Sequence, residues 1–169
     1  NTTIDQVDFN DISQIAVSGF VKYASTACFI EGAEILVNGE SRIPSIRTDA
    51  NGKFVAEFEP GARGQQLSVR YKDHEVAPGF IELPRLVVPL TGLFFEDLVT
   101  REFSGTVAGG VCQLPITPTQ GRIEVTLSSV DGCFETVVVP DEQTGQFVAQ
   151  DLPPVIYQVT VAHPNPEID

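Results

Sequence analysis

The sequence has no methionine and no tryptophan, and its 169 residues include only three cysteines and three tyrosines. Basic residues are also scarce, because 10 Lys and Arg stand against 23 Asp and Glu, which gives a formal net charge of −13. This balance argues against nucleic acid as a partner, since a phosphate backbone needs a clustered basic face. No apolar run approaches the roughly 18 residues of a membrane-spanning helix, so we expect no membrane insertion.

The residues that are present favour short β-strands. Apolar residues make up 42% of the chain, which is enough to build a core. The clearest segments, such as residues 15–21, 54–58 and 123–127, alternate with a period of two and are rich in β-branched and aromatic residues. The 14 glycines and 12 prolines interrupt the chain too often for long helices. Short strands between frequent turns predict an all-β fold of the sandwich type.

Two parts of the chain repeat each other in the same order. The matching pairs are residues 7–12 with 93–98, 17–21 with 103–107, 48–56 with 142–149 and 67–71 with 157–161. The first two pairs share an offset of 86, and later length changes are those expected of surface loops. We therefore predict two tandem sandwich domains of about seven strands each. The first spans residues 1–92 with a core at about 12–90, and the second spans 93–169 with a core at about 101–163.

The two predicted domains differ in length after their matching histidines. The first continues for 18 residues after His74, whereas the second ends six residues after His163. We therefore expect the second domain to be shortened at its C-terminus. Because residue 1 is Asn and methionine is absent, we also expect a processed chain or a piece of a longer array.

The turn and core residues of the first domain carry a family resemblance. They read Gly19-Phe20-Val21, Gly32-Ala33-Glu34-Ile35-Leu36-Val37, Thr48-Asp49-Ala50-Asn51-Gly52-Lys53-Phe54 and Pro60-Gly61. This pattern resembles the carboxypeptidase regulatory-like (transthyretin-like, prealbumin-type) β-sandwich domain, and the collagen-adhesin B-type modules are similar. The second domain keeps Gly105-Thr106-Val107 and Gly145-Gln146-Phe147 but lacks the Thr-Asp and Pro-Gly pairs. The resemblance implies Ig-like sandwiches that act as non-catalytic spacer or stalk modules.

The three cysteines suggest a compartment. A bond between Cys112 and Cys133 would close a loop of about 20 residues and stabilise a thin sandwich by about 3 kcal/mol. We predict this disulfide, with two buried free thiols as the alternative. Cys28 has no cysteine partner in its own domain, and we interpret it as a small buried hydrophobe, with an intermolecular bond as the alternative. A disulfide implies an oxidising setting, so we expect an extracellular or cell-surface protein.

Few residues have the pattern of a metal site. Asp49-Ala50-Asn51-Gly52 places oxygen ligands at alternate positions, as a calcium loop does, but Asn-Gly is also typical of a hairpin turn. A bidentate glutamate at loop spacing is missing, so we predict a turn and no cofactor. Asp49, Asn51 and the linker residue Asp97 remain weak calcium candidates. The histidines at 74 and 163 are interpreted as solvent-exposed strand ends.

No motif of a known catalytic mechanism is present. The serines beside Gly19 and Gly105 lie on predicted strands and not on a nucleophile elbow. Gly109-Gly110 opens no helix that could bind phosphate. We therefore predict that the chain is not an enzyme.

An apolar stretch follows the last strand of the first domain. We predict that it packs between the two domains, and the predicted interface residues are Phe80, Leu83, Leu86, Phe94 and Phe95. The expected function is a structural module pair of a long extracellular or cell-surface protein, acting as a spacer, stalk or assembly unit of a filament or adhesin. The expected partners are neighbouring modules of the same chain, further copies of the chain, or a host or surface protein. The alternatives are a ligand-binding adhesion module and accessory domains of a secreted enzyme.

Overall fold

The computed structural model describes residues 13–108 and 123–162. Within these ranges the chain forms β-strands and no helix, so none of the described elements is a helix long and apolar enough to cross a membrane. The strands are β1 (Ile15–Tyr23), β2 (Glu34–Val37), β3 (Glu40–Arg47), β4 (Lys53–Phe58), β5 (Gln66–Arg70), β6 (Val76–Ala77), β7 (Ile81–Glu82), β8 (Leu90–Asp97), β9 (Arg101–Thr106), β10 (Glu124–Ser129), β11 (Glu135–Val138), β12 (Gln146–Leu152) and β13 (Tyr157–Ala162). The prediction of an all-β, sandwich-type fold is confirmed.

The first eight strands form two four-stranded sheets. One has the order β4-β1-β8-β6, with β1 antiparallel to β4 and parallel to β8, and the other has the order β3-β2-β5-β7. Residues from both sheets share one core, which includes Val17, Ile35, Leu67 and Phe95. The sheets therefore pack face to face as a sandwich.

Local sequence explains the strands and turns of this sandwich. In β4, Phe54, Ala56 and Phe58 are buried while the residues between them are exposed, which is the alternation of a half-buried strand. β2 and β3 are joined at Asn38-Gly39, where both residues have positive φ and form a two-residue hairpin. The predicted turn at residues 49–52 is present, but it is not a hairpin because β3 and β4 belong to different sheets.

The last five strands form a smaller, second sandwich. Its sheets have the orders β11-β10-β13 and β12-β9 within the described residues. The buried core consists of few side chains, which are Val125, Leu127, Phe147, Ala149 and Leu152. This core is much smaller than that of the first sandwich.

The two sandwiches have corresponding strands in the same register. β1 and β9 begin 86 residues apart, at Ile15 and Arg101, and β4 and β12 begin at Lys53 and Gln146. Gly19 pairs with Phe54 in one sheet, and Gly105 pairs with Phe147 in the other. The sequence repeat is therefore a repeat of strand pairing.

The first sandwich extends beyond the boundary predicted at residues 92 and 93. That boundary falls inside β8, which pairs along its length with β1. Leu93 packs against the first core, and Phe95 is fully buried in it. Because its apolar side chains fill the first core, residues 93–97 belong to the first sandwich, and only residues 98–100 separate β8 from β9.

Candidate functional site at the junction of the two sandwiches

A disulfide joins Cys28 of the first sandwich to Cys133 of the second, across 105 residues of sequence. The predicted Cys112–Cys133 bond is therefore wrong, and Cys112 lies outside the described residues. Cys28, interpreted as a small buried hydrophobe, is buried but is bonded to Cys133. The physical reason is that strand pairing, not sequence spacing, sets which cysteines meet. One feature of the sequence pointed to this bond: Cys28 is the only cysteine of the first unit, so a partner had to come from outside it.

Local hydrogen bonds hold both cysteines in place. The carbonyl of Cys28 accepts a bond from the Tyr23 amide at 2.9 Å, which folds the Cys28 loop back onto the end of β1. Cys133 lies in the turn between β10 and β11, where its amide donates to Asp131 Oδ1 at 3.2 Å. Hydrogen bonds from Ser129 and then from the Cys133 amide hold the pKa of Asp131 below its usual range. The turn is thus fixed by its own polar residues.

Apolar side chains of the second sandwich pack, together with Cys133, against the first sandwich. Cys133, Phe134 and Val155 pack against the core of the first sandwich. Phe134 also packs against the second core and meets the Tyr157 ring edge-on, with 6.2 Å between ring centroids. The junction is therefore a covalent bond inside a small apolar contact that is shared by both cores.

A buried histidine–carboxylate pair lies at the end of β8. Nδ1 of His74 donates to Oδ2 of Asp97 over 2.6 Å, and the Val99 amide donates to Oδ1 of Asp97 over 2.9 Å. The side chain of His74 is 10% exposed and that of Asp97 is 0% exposed. The interpretation of His74 as a solvent-exposed strand end is wrong, while His163 lies outside the described residues. The pair fixes the end of β8 next to the chain that enters β9.

Two tyrosines complete this buried polar cluster. The rings of Tyr71 and His74 meet edge-on, with 5.4 Å between centroids. Tyr23, at the end of β1, is buried, and its burial, followed by a hydrogen bond with Tyr71, raises the pKa of its hydroxyl well above the usual range. We call Tyr23, Tyr71, His74 and Asp97 the polar pin, because they tie β1, the end of β5 and β8 together next to the junction.

The weak calcium candidates have other bonding partners. Oδ1 of Asp49 accepts from the amides of Asn51 and Lys53, both at 2.9 Å, and so caps its own turn. Asp97 is a member of the polar pin. Across residues 13–108 and 123–162, no group of three or more His, Cys, Asp and Glu side chains is arranged to hold a metal ion. The candidate residues are thus held by hydrogen bonds of the protein itself.

The five predicted interface residues lie in two environments. Leu83, Leu86 and Phe95 are buried in the core of the first sandwich. Phe80 and Phe94 are exposed, and the Phe94 ring stacks on Phe20 with 5.6 Å between centroids. Among the described residues of the second sandwich, Cys133, Phe134 and Val155 pack against the first core.

A charged cluster on the sheet of β2, β3 and β5 was not predicted. Glu34 accepts bonds from Ser41 Oγ and Arg70 Nη2, both at 2.6 Å, and lies 3.9 Å from Arg47. Hydrogen bonds from Ser41 and Arg70 lower the pKa of Glu34. The neighbouring cleft of about 390 Å³ is also lined by Lys72. The sequence analysis missed this cluster because it did not predict the strand register, which places Glu34 of β2 directly opposite Arg47 of β3 and Arg70 of β5.

Comparison with known proteins gives only distant similarities. No family model matches the chain, and no curated protein matches it. The chain is similar to a streptococcal ancillary pilin at 12% identity and a TM-score of 0.36, covering 93% of this chain and 61% of that one. It is similar to the Bacillus anthracis TIE protein at 15% identity and a TM-score of 0.38, covering 89% of this chain and 31% of that one. A DUF3823 family protein from Parabacteroides merdae is similar at 14% identity and a TM-score of 0.34, with 83% and 81% covered.

Proposed function

We propose that this chain is a non-catalytic structural module pair of an extracellular or cell-surface protein, in which two sandwiches act as one spacer or assembly unit. The observation that carries the proposal is the disulfide between Cys28 and Cys133, which joins the two sandwiches covalently. A disulfide of this kind persists in an oxidising compartment and not in a reducing cytosol.

The packing at the junction supports the same role. Phe134 and Val155 pack against the first core, and only residues 98–100 connect β8 to β9. A short connection, a shared apolar contact and a covalent bond together restrict the motion of one sandwich relative to the other. Such restriction suits a part that maintains a distance or transmits a load.

The chemistry of the polar pin also supports a non-catalytic role. The His74–Asp97 pair is the described feature most similar to a catalytic dyad. Its carboxylate is closed to solvent, and the Nδ1 and carboxylate oxygens are bonded to each other and to the Val99 amide. A general acid or base has to reach its substrate within hydrogen-bond distance. The pair therefore supports packing of β8 and not proton transfer to a ligand.

One observation favours a second function, the binding of an anionic ligand. The cleft beside Glu34 is lined by Arg47, Arg70 and Lys72, so three cations face one carboxylate on a chain of strongly negative net charge. Arg70 is engaged by Glu34, and Lys72 lies over the Tyr71 ring at 4.9 Å. The side chain of Arg47 is more than half exposed and donates from Nη1 to the Gly32 carbonyl at 2.9 Å, so its remaining N–H groups are the ones that would meet a carboxylate ligand.

The proposed function is tested on protein isolated from its natural source without reduction. Peptide mapping under non-reducing conditions should recover a Cys28–Cys133 linked peptide, and protease added to intact cells should remove the chain. Three free thiols, together with protection from external protease, would contradict the proposal. Protease treatment of lysed cells is the matched control, because it shows that the protein can be cleaved wherever it lies.

A further inference from the structure

Strand β3 contains a bulge of four residues. Ile35 of β2 pairs with Ile46 of β3. The next residue of β2, Leu36, pairs with Ser41, so residues 42–45 leave the ladder between these two pairs. We call these four residues the β3 bulge. An ordinary β-bulge adds one residue to a strand, whereas this one adds four and projects from the edge of the sheet.

The β3 bulge reaches from one sheet to the other. β3 and β4 are outer strands of the two facing sheets of the first sandwich. Nη1 of Arg42 donates to the main-chain carbonyl of Glu57 in β4 at 2.6 Å, and its guanidinium carbon lies 4.5 Å from the centre of the Phe58 ring. Ile43 lines an open cleft of about 560 Å³ together with Val55 of β4. The bulge therefore lies against the edge of β4.

Three residues define the edge of β4 that faces away from β1. The amide of Val21 donates to the carbonyl of Gly52 at 2.8 Å, just before β4 begins. Because alternate residues of an antiparallel strand bond to the same neighbour, every second residue after Gly52 bonds to β1. Lys53, Val55 and Glu57 therefore direct their N–H and C=O groups outward. These are the groups to which a strand of another chain would pair.

Other parts of the first sandwich bond to two of these three residues. The amide of Lys53 donates to Asp49 Oδ1, and the carbonyl of Lys53 accepts from the Asp49 amide, both over 2.9 Å. The carbonyl of Glu57 accepts from Arg42 of the β3 bulge. The turn at Asp49 therefore closes one end of the β4 edge, and the β3 bulge closes the other.

The same bulge interrupts the edge of β3. Pro44 has no amide hydrogen, so a strand ladder cannot continue through the bulge. In the part of the chain that the structure describes, the other outer strands of these two sheets are β6 and β7, which have two residues each. Short or interrupted outer strands protect a sheet edge from pairing. The β3 bulge thus protects both of the longer edges.

The sequence of β4 suits pairing with itself. Residues 53–58 read KFVAEF, with apolar residues at alternate positions, no glycine or proline, and two side-chain charges that cancel. Six-residue segments of this composition favour strand pairing between chains when their edge is open. In an antiparallel pair centred on Val55, Lys53 of each copy would lie opposite Glu57 of the other. Opposite charges at such positions stabilise a strand pair.

We propose that the β3 bulge is a strap that holds the edge of β4 closed and keeps it from pairing with β4 of a second copy. Arg42 holds the strap in place, because it bonds to the outward carbonyl of Glu57 and covers the Phe58 ring. Without the strap, two copies join β4 to β4 in a two-fold, antiparallel pair. The inference goes beyond the proposed spacer role, since it identifies a side of the first sandwich that is kept from associating.

Removal of residues 42–45 tests the proposal in the full chain. The deletion leaves Ser41 followed by Ile46, so β3 keeps its register on β2. In sedimentation equilibrium, the average mass of this variant should approach twice that of the unaltered chain at the same high concentration. Arg42→Ala should shift the mass in the same direction, and it decides the test if the deletion variant does not fold. Arg63→Ala, at an exposed arginine of the same sandwich, is the matched control and should leave the mass unchanged.

A charge reversal tests the register of the pair. On the Arg42→Ala background, Lys53→Glu places carboxylates opposite each other and should return the mass to that of the unaltered chain. The further change Glu57→Lys restores opposite charges and should restore the doubled mass. A mass that stays at that of the unaltered chain in the bulge variants overturns the proposal, and so does association that is insensitive to the charge reversal. Either result leaves the proposed spacer role in place, because that role is tested separately by the Cys28–Cys133 bond and surface exposure.

Discussion

Gly19 shows how one missing side chain permits the central strand pairing of the first sandwich. A Cβ built at Gly19 would overlap the carbonyl oxygen of Leu93 and lie 2.8 Å from the Leu93 Cβ. β8 therefore approaches β1 too closely for any larger residue. At Gly105, the same construction meets the Phe147 ring at 2.8 Å. An aromatic ring can turn aside, whereas a backbone carbonyl in a sheet cannot.

Gly19→Ala should lower the free energy of unfolding by about 1–3 kcal/mol, because β8 has to move away from β1. The matched control is Gly79→Ala, where an added Cβ meets nothing within 4 Å and φ is not positive. That substitution should be neutral or stabilise by up to about 1 kcal/mol, since it restricts the unfolded chain. Urea titrations of both variants measure the difference. Equal effects would show that β8 does not lie against Gly19.

The buried tyrosines predict a loss of stability at alkaline pH. Burial raises the pKa of Tyr157 to about 12, and that of Tyr23 rises as well. In the unfolded chain both hydroxyls ionise near pH 10. Stability should therefore be unaffected below about pH 10 and should fall as the pH rises from there toward the folded pKa values, because the unfolded state releases these protons first.

Urea midpoints at several alkaline pH values, with tyrosinate absorbance of the folded protein, test this dependence. Tyr23 and Tyr157 should ionise late in the folded protein and at the ordinary pH in urea. Tyr157→Phe should reduce the slope of stability against pH. A slope that is unchanged in this variant would contradict the assignment.

At the scale of elements, β8 connects core packing to the junction. Its inward residues fill the first core, and its last residue, Asp97, accepts bonds from His74 and from the Val99 amide. The backbone carbonyl of Asp97 also accepts a bond from the Ala24 amide at 2.9 Å. One residue thus fixes the end of β8, the loop before β6 and the chain after β1.

Asp97→Ala should destabilise the protein by about 3–5 kcal/mol, because it leaves His74 and the Val99 amide buried without their acceptor. Asp97→Asn should cost less, since an amide oxygen can still accept from Val99. The free energies of unfolding in urea measure both effects. The Asn variant separates the contribution of the Val99 bond from that of the His74 bond. If it is as unstable as the Ala variant, the whole loss of stability comes from the contact with His74.

Strand periodicity predicted most elements but not β8, and the reason is physical. Alternation in β1 and β4 reflects one buried face and is visible in the sequence. In β8, Leu93, Phe94 and Phe95 are consecutive, because Phe94 stacks on Phe20 outside while its neighbours face the core. An aromatic pair on the outer face hides the alternation. The internal repeat identified residues 93–98 as a segment, but it assigned them to the second sandwich, whereas the side chains of β8 pack in the first.

At the scale of the whole molecule, the disulfide makes two sandwiches behave as one. It closes a loop of 105 residues. Cys133→Ala or Cys28→Ala should each lower the free energy of unfolding by about 2–5 kcal/mol. The double variant should be no less stable than the less stable single variant, since the same bond is lost in all three.

Urea unfolding of these variants also tests which cysteines are paired. Cys112→Ser serves as the control and should lower the free energy of unfolding by less than either Cys→Ala variant, because it leaves the Cys28–Cys133 bond intact. If Cys112→Ser matches Cys133→Ala while Cys28→Ala has no effect, the bond joins Cys112 to Cys133 instead.

The sequence predicted the fold class and the repeat, but not the junction. Strand alternation and turn residues are local properties, so they can be recognised from the sequence alone. The Cys28–Cys133 bond and the His74–Asp97 pair join residues from distant segments, and their partners are decided by strand order. Loop-length arithmetic favoured the near cysteine, whereas the folded chain pairs Cys133 with the distant Cys28.

The disulfide also determines how the chain responds to a pulling force. When the two ends are drawn apart, tension that enters through β1 crosses directly from Cys28 to Cys133 and bypasses the strands between them. The 105 residues of that loop correspond to roughly 350–380 Å of extended chain, none of which can be released while the bond is intact. Only the segments before Cys28 and after Cys133 can lengthen, so the reduced chain has a far greater reach than the oxidised one.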